Sequence, residues 1–292
     1  MTGVLLHIGV MLGIYCILVL STNLTVGMAN LLTLCQAAFY AIGAYIGAFF
    51  LMRFHLPFTV IALVVMLPTG LTSLVVSFAS VKLKGDYFIL ATLGLQMIVY
   101  TVLNNWMSVT RGPIGITGIP RIRLFGCWSL DAPLAFFFFT LALAVLCILF
   151  FARLQRSPFG RMLRSIRTDE ISAQALGRNT VSLKAWAFFI SAAFAGMAGL
   201  VYASYVRYID PSGFTLDESI FILTALFIGG IGSRVWGPVV GAAVVVIIPD
   251  ALRYLGLPNA VTANLRLIFF GLVLIVMMFV RPQGLLGDSK LK

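Results

Sequence analysis

Seven of the chain's twenty lysines and arginines fall between Arg153 and Lys184, with only Asp169 and Glu170 among them as acids. At that density such side chains do electrostatic work. They meet phosphates or carboxylates, and during insertion they keep their loop on the cytoplasmic side of a membrane. Within this island Phe159, Met162, Leu163 and Ile166 recur at the spacing of one helical face, while Arg161, Arg164, Ser165 and Arg167 occupy the rest. Ser157 and Pro158 suit an N-cap and a first helical position, so an amphipathic helix is expected along the inner membrane surface. Thr168, followed by Asp169 and Glu170 as first-turn acids, reads as the N-cap of a second, short helix that Gly177 ends after Ala173. Two uses fit the pair: a positive-inside loop whose arginines meet lipid phosphates, or a docking element that takes up the motion of a cytosolic partner. Seven basic residues exceed what topology requires, which favours docking.

A second set of chemistry-bearing residues lies inside the oily stretches: Asn30, Gln36, Thr92, Gln96, Ser191 and Thr224. Polar groups are costly in lipid and face a neighbouring helix or a cavity; structural hydrogen bonding is the commoner fate and a solute path the other. Ion-driven transport would want an acid at a span centre, and Asp86 and Asp250 sit near span ends. The two histidines, His7 and His55, are far apart, with no metal-ligand spacing and no nucleophile and base pair, which argues against a membrane enzyme. No Gly-rich phosphate loop ending in Lys-Ser or Lys-Thr occurs, so a chain working in an ATP-driven system would borrow its energy.

The elements that must position these residues follow from composition. Across 292 residues, 61% apolar and 10% charged with a mean hydropathy of +1.07, there is too little polar surface to cover a soluble globule. The net charge of +11 sits in loops and tail, so it reads as topology and lipid contact and implies no nucleic acid. Cys16, Cys35 and Cys147 fall in apolar runs and Cys127 in a loop, so no disulfide is expected, and the apolar start reads as a retained first span.

Runs of membrane length occur near 3–20, 35–52, 58–80, 87–103, 134–152, 185–205, 215–231, 237–256 and 263–280. The expected fold is thus all-α, a polytopic bundle of about 8–10 transmembrane helices. Residues 1–292 read as a single transmembrane domain with the loop 153–184 attached. Between them, 21–34 is interrupted by Asn23, Thr25, Gly27 and Asn30 and reads as a re-entrant or broken helix. It and 206–218 are candidates for matching positions in inverted halves. Small residues four apart (Gly43 and Gly47, Ala44 and Ala48, Ala192 and Gly196, Ala195 and Gly199, Gly237 and Gly241) predict close helix contacts.

Four spans separate the island from a tail carrying Arg281, Lys290 and Lys292, which puts the C-terminus in the cytoplasm with the island, along with Lys82 and Lys84. The loop 206–218, with Arg207 against Asp210, Asp217 and Glu218, falls outside. So does 104–133, although it carries Arg111, Arg121 and Arg123 against Asp131.

The stretch Ser157-Pro158-Phe159-Gly160-Arg161 through Arg167-Thr168-Asp169-Glu170-Ile171, then Ala173 to Gly177 and Ala187-Phe188, resembles the coupling loop of branched-chain amino acid permeases of the ABC importer class. Gly85-Asp86-Tyr87-Phe88 with Ala91-Thr92-Leu93, and Thr110-Arg111-Gly112-Pro113 running through Gly115 and Gly118 to Pro120, resemble an outer region of the same family. Gly229-Gly230-Ile231-Gly232-Ser233 with Gly237-Pro238 and Gly241, and the tail Arg281-Pro282-Gln283-Gly284-Leu285-Leu286-Gly287, are similar too. The four pieces stand in the family's order along nearly the whole chain.

The resemblance implies a permease subunit in the bacterial inner membrane that moves branched-chain or related hydrophobic amino acids. It implies a homologous second permease, two cytosolic ATPases that use the ATP, and a periplasmic binding protein, with no cofactor on this chain. Arg161, Arg164, Arg167, Asp169, Glu170, Ala173 and Gly177 would serve ATPase coupling, although Glu170, Ala173 and Gly177 are more loosely spaced than the general ABC coupling motif. Thr110, Gly112, Gly115, Gly118 and Pro120 would form an outer loop or gate whose looped backbone can offer amides to a carboxylate, or else a plain turn between two helices. Asn30, Gln36, Thr92 and Gln96 would line the path. The Gly229–Gly241 turn reads as a tight cytoplasmic hairpin rather than a ligand site. Urea or short-amide permeases of the same family and an ion-coupled secondary transporter remain as alternatives.

Overall fold

The structure is a computed structural model that describes residues 2–54, 56–80, 86–124, 128–129, 131–253, 271–273, 275–276 and 285. His55, Lys82, Lys84, Gly85, Cys127, most of the span expected over 263–280 and most of the 281–292 tail lie outside the described residues. The helices are α1 (Thr2–Thr22), α2 (Gln36–Arg53), α3 (Phe58–Ser80), α4 (Asp86–Asn105), α5 (Met107–Thr110), α6 (Pro133–Arg156), α7 (Pro158–Thr168), α8 (Glu170–Ala175), α9 (Thr180–Val206), α10 (Leu216–Gly229) and α11 (Trp236–Arg253). Two-residue strands are β1 (Ile116–Thr117), β2 (Arg123–Leu124), β3 (Trp128–Ser129) and β4 (Tyr208–Ile209). Among the described residues five helices are long and apolar enough to cross a membrane: α1 with its extension to Met28, α3, α4, α6 and α9. The chain is an all-α, polytopic membrane protein.

Helix dominates because lipid offers no partner for backbone N–H and C=O groups, and a helix satisfies them internally. Where α1 departs from that rule it does so inside the protein: Asn23–Met28 forms a π-turn and 29–35 is non-helical, with all but Asn30, Leu32 and Leu34 of this stretch buried. The broken helix expected from the polar residues of 21–34 is thus an extension of the first span plus a short uncoiled passage.

α9 is the central column. Of its membrane-length window 78% is buried, against 22% for α4, and α1, α2 and α3 pack around it. Close approach is licensed by missing side chains: a methyl on Gly43 would overlap the backbone of Gly196, one on Gly199 the Tyr40 carbonyl, and one on Gly241 the Ala225 carbonyl. One end of the bundle gathers the start of α1 and the end of α9, where His7 Nδ1 and the Tyr205 hydroxyl share a 3.0 Å hydrogen bond. The opposite end carries α7, the π-turn and the connection from α10 to α11.

Candidate functional site

Three groups of residues hold the chemistry, at the two ends and the middle of the bundle. At one end, Ser157 caps α7 by accepting from Gly160 N at 3.3 Å, with Pro158 at the first position. Leu163 and Ile166 are buried, Phe159 and Met162 half-buried, and Arg161, Arg164 and Ser165 exposed. Arg167 departs from the expectation of an exposed basic face. It is half-buried against the bundle, its Nη1 donating to the Gly27 carbonyl, and burial lowers its pKa.

The cap of α8 also differs by one residue from expectation. Asp169, not Thr168, is the N-cap, its Oδ1 accepting from Ile171 N at 2.9 Å and Ser172 N at 3.2 Å. The Ser172 hydroxyl donates to Oδ2, and these bonds hold the Asp169 pKa below the usual carboxylate range, because they favour the charged form. Ala173 faces inward. Gly177 N bonds the Gln174 carbonyl at 2.9 Å and Arg178 N the Ala173 carbonyl at 3.2 Å, closing the helix. Glu170 pairs with Lys184 Nζ at 2.6 Å, tying α8 to α9. Ile171 and Leu176 stand out 79% and 81% exposed, large apolar side chains on the surface of the described residues.

At the other end the residues from Thr110 to Pro120 form a stitched loop. The Thr110 hydroxyl donates to the Leu103 carbonyl at 2.6 Å, and Gly112, Gly115 and Gly118 all take positive φ. The amides expected to be free for a carboxylate are engaged. Gly112 N donates to Thr110 Oγ1 at 3.3 Å, Gly115 N to the Gly112 carbonyl at 3.1 Å, and Gly118 N and Ile119 N to the Arg207 carbonyl at 3.1 and 3.3 Å. β1 pairs antiparallel with β4, and Ser204 Oγ donates to the Pro120 carbonyl at 3.4 Å, so the loop clasps the end of α9. Two of these amides are satisfied within the loop and two by the Arg207 carbonyl, so none of the four is held out toward a carboxylate.

In the middle, two helices begin within the bundle rather than at its ends. α2 starts after the uncoiled passage and α10 after the 3₁₀ turn Pro211–Phe214, and Ala37 N donates to Ser219 Oγ at 2.9 Å. The helices leave in opposite directions: Gly47 of α2 lies by Leu200 toward the Val206 end, whereas Gly229 of α10 lies by Gly237 toward the α7 end. Segments 21–34 and 206–218, taken from the sequence as a possible inverted pair, deliver these two starts to one place.

Around the meeting point, Gln36 Nε2 donates to Ser21 Oγ at 2.9 Å and Ser191 Oγ at 3.4 Å. Both hydroxyls give their own hydrogens to carbonyls, Ser21 to Leu18 at 2.7 Å and Ser191 to Ser21 at 2.8 Å. The amide orientation is therefore fixed, and Gln36 Oε1 is buried with no partner among the described residues. Gln96 Nε2 donates to the Phe214 carbonyl at 2.8 Å and its Oε1 accepts from Ser219 Oγ at 3.4 Å, while Thr92 Oγ1 accepts from Leu34 N at 3.2 Å. Phe214 itself is sealed by Tyr40, Tyr45 and Tyr202, ring centroids 5.1, 6.2 and 6.0 Å away.

Of the sequence candidates, Gln36, Thr92, Gln96 and Ser191 are thus brought together. Asn30 is exposed at φ 55°, and Thr224 bonds within its own helix, to the Ile220 carbonyl at 2.8 Å. Ser21, Ser219 and Phe214 carry no signal in the sequence, and Asn23 shows there only as an interruption of the apolar run.

Opposed helix starts meeting at a polar centre inside a polytopic bundle are the build of a solute transporter. Residues 4–278 match the family described as branched-chain amino acid transport system / permease component, and the chain belongs to it. It is 33% identical to the high-affinity branched-chain amino acid transport system permease protein LivM of Salmonella typhimurium, over 97% of this chain and 70% of that one. It is 29% identical to the probable branched-chain amino acid transport permease protein LivM of Methanocaldococcus jannaschii, over 72% and 62%. To the LivH permease protein of S. typhimurium it is 29% identical over 65% and 61%. No solved structure matches the chain.

Proposed function

We propose that this chain is the permease subunit of a binding-protein-dependent ABC importer for branched-chain amino acids, in the bacterial inner membrane with α7, α8 and the C-terminus in the cytoplasm. The observation that carries it is the family match from residue 4 to residue 278, which spans the polar centre and the α7–α8 elbow together. A homologous permease would complete the pathway, a periplasmic protein would deliver the amino acid, and two ATPases would bind the ATP. This chain carries no catalytic or cofactor chemistry in that scheme. α8 is the docking knob: Asp169 and Gly177 fix its ends, Glu170 anchors it to α9 through Lys184, and Ile171 and Leu176 offer 79% and 81% exposed apolar side chains to a groove on an ATPase.

In the middle, the contacts on offer to a solute are few: among the described residues Gln36 Oε1 and the Tyr45 hydroxyl are buried without a partner, while Ser21, Thr92, Gln96, Ser191 and Ser219 are internally bonded. That suits a channel that has only to release what a receptor has already selected. The Thr110–Pro120 clasp, hydrogen-bonded to the end of α9, would be a receptor-facing rim. The test is uptake of radiolabelled isoleucine into proteoliposomes holding the chain with its partners. Uptake dependent on ATP and on the receptor is expected. Uphill transport by the chain alone, driven by an ion gradient, would overturn the proposal.

A further inference from the structure

Arg167 does not share the exposed face of Arg161 and Arg164. It lies one helical turn beyond the buried Leu163 and reaches into the bundle, where it supplies a hydrogen bond that the backbone cannot make for itself. The π-turn ends with its later amides bonded backward, Ala29 N to Leu24 O at 3.2 Å and Leu31 N to Thr25 O at 3.0 Å, and the Gly27 carbonyl takes the guanidinium instead. A cation at the carbonyl end of a helical segment is favoured both as a donor and by the segment's dipole. Room for it is made by Gly232: at φ +70° this residue lies against the guanidinium, and a methyl there would overlap Nη1.

The same turn is gripped from the other side. Asn23, buried in the π-turn, accepts from Gly232 N at 3.2 Å and donates to the Ser233 and Arg234 carbonyls at 3.1 and 3.3 Å. α7, the broken end of the first span and the α10–α11 connection therefore share one hydrogen-bonded junction. The two segments so held are those that lead to the polar centre: 29–35 runs from the π-turn to Gln36, and α10 runs from the turn back to Ser219.

We propose that Arg167 is the positioning residue that carries movement of α7 into the broken first span, drawing Gly27 and, through Asn23, the 232–234 turn along with it. The proposal rests on the reading of α7–α8 as the element moved by ATPases. It differs from that reading in assigning Arg167 inward, to the gate, and not outward, to the partner. Movement at one site reaches another through packed and hydrogen-bonded elements with two arrangements, and this junction is a short one of that kind.

The experiment uses the importer assembled from this chain and its partner subunits. Arg167→Met keeps the apolar stem and removes the donor; it is expected to retain the ATPases and hydrolyse ATP, while consuming at least tenfold more ATP per amino acid imported. Hydrogen exchange over 29–35, altered by nucleotide trapping in the parent, should no longer respond. Arg167→Lys, which restores charge and one donor, should recover most of the coupling. If Arg167→Met does not accumulate, Asn23→Ala, which frees the 232–234 turn with Arg167 in place, decides by the same ratio. A parental ratio of ATP to substrate overturns the proposal, as does loss of the ATPases from Arg167→Met, which would make the residue part of the docking surface. Failure of the coupling reading itself is told apart by the parent: exchange over α7 and α8 indifferent to nucleotide sinks that reading and the proposal with it, whereas exchange that responds in α7 and α8 but not over 29–35 sinks the proposal alone.

Discussion

Gly43 of α2 and Gly196 of α9 meet backbone to backbone, and on its other flank Gly196 faces Thr69 of α3, where a methyl would lie 2.6 Å from Oγ1. Three helices converge on one residue without a side chain. Gly43→Ala must therefore push α2 off the central column, and a loss toward the upper end of the about 1–3 kcal/mol typical of overpacking is expected. Gly94→Ala is the control: among the described residues nothing lies within 4 Å of that position, so it should be neutral or stabilising by up to about 1 kcal/mol. Thermal midpoints in detergent compare the two, and equal midpoints would contradict the seam.

Charge reversal on the exposed face of α7 tests docking. Arg161 and Arg164 are exposed, and each donates to a carbonyl at the end of α6, Arg156 at 3.0 Å and Gln155 at 3.5 Å. With Arg161→Glu and Arg164→Glu combined, the loss of these surface bonds should cost about 1–2 kcal/mol and leave the chain expressed, while uptake falls at least tenfold and ATP hydrolysis continues uncoupled. Undiminished uptake at normal expression would remove these residues from the coupling surface.

The polar centre makes a different demand. Gln36→Leu takes away an unpartnered acceptor along with the donor to Ser21 and Ser191, whose own hydrogens remain bonded to carbonyls. Stability should shift by no more than about 1 kcal/mol. Isoleucine uptake should drop by about tenfold, the size expected for one lost polar contact of roughly 1.4 kcal/mol. Parental uptake would place the solute path elsewhere in the bundle.

Asp169 ties the short helix to pH. Its folded-state pKa is lowered by the Ser172 hydroxyl and the Ser172 and Ile171 amides, so its cap is at full strength above the ordinary carboxylate pKa near 4 and is lost as pH falls through the lowered value. α8 should thus stay protected at neutral pH and fray only in strong acid. Asp169→Ala should fray it at all pH values, read as faster amide exchange at Ile171 and Ser172. Unchanged exchange in that variant would show that α8 is held by Glu170 and Lys184 alone.

Much of this was legible beforehand, for reasons that differ by element. The spans α1, α3, α4, α6 and α9 were visible because lipid demands long apolar runs, whereas the run 215–231 yields only the 14-residue α10. α7 and α8 were visible because Ser157, Pro158, the Thr168-Asp169-Glu170 start and Gly177 are local punctuation, with the cap falling on Asp169 in place of Thr168. The turn of Arg167 into the bundle had a signal, since it stands four residues after the buried Leu163 and so on the same stripe; charge outweighed position in that reading. The engagement of the Gly118 and Ile119 amides had none, because their partner, the Arg207 carbonyl beside the β4 strand, lies nearly a hundred residues away. The same holds for Ala37 and Ser219, which are 182 residues apart. Family resemblance carried the order of the motifs, yet the meeting of α2 with α10 belongs to the fold alone.

The central place of α9 has a consequence for how the protein is made. Helices α1, α2 and α3 enter the membrane early, with the grooves of Gly43, Gly47 and Thr69 shaped for a helix that the ribosome has not yet produced. Until residue 206 has been synthesised these three wait side by side in lipid without their keystone. A nascent chain stopped before Thr180 should be cleared by membrane quality control, whereas one extended past Val206 should begin to resist it.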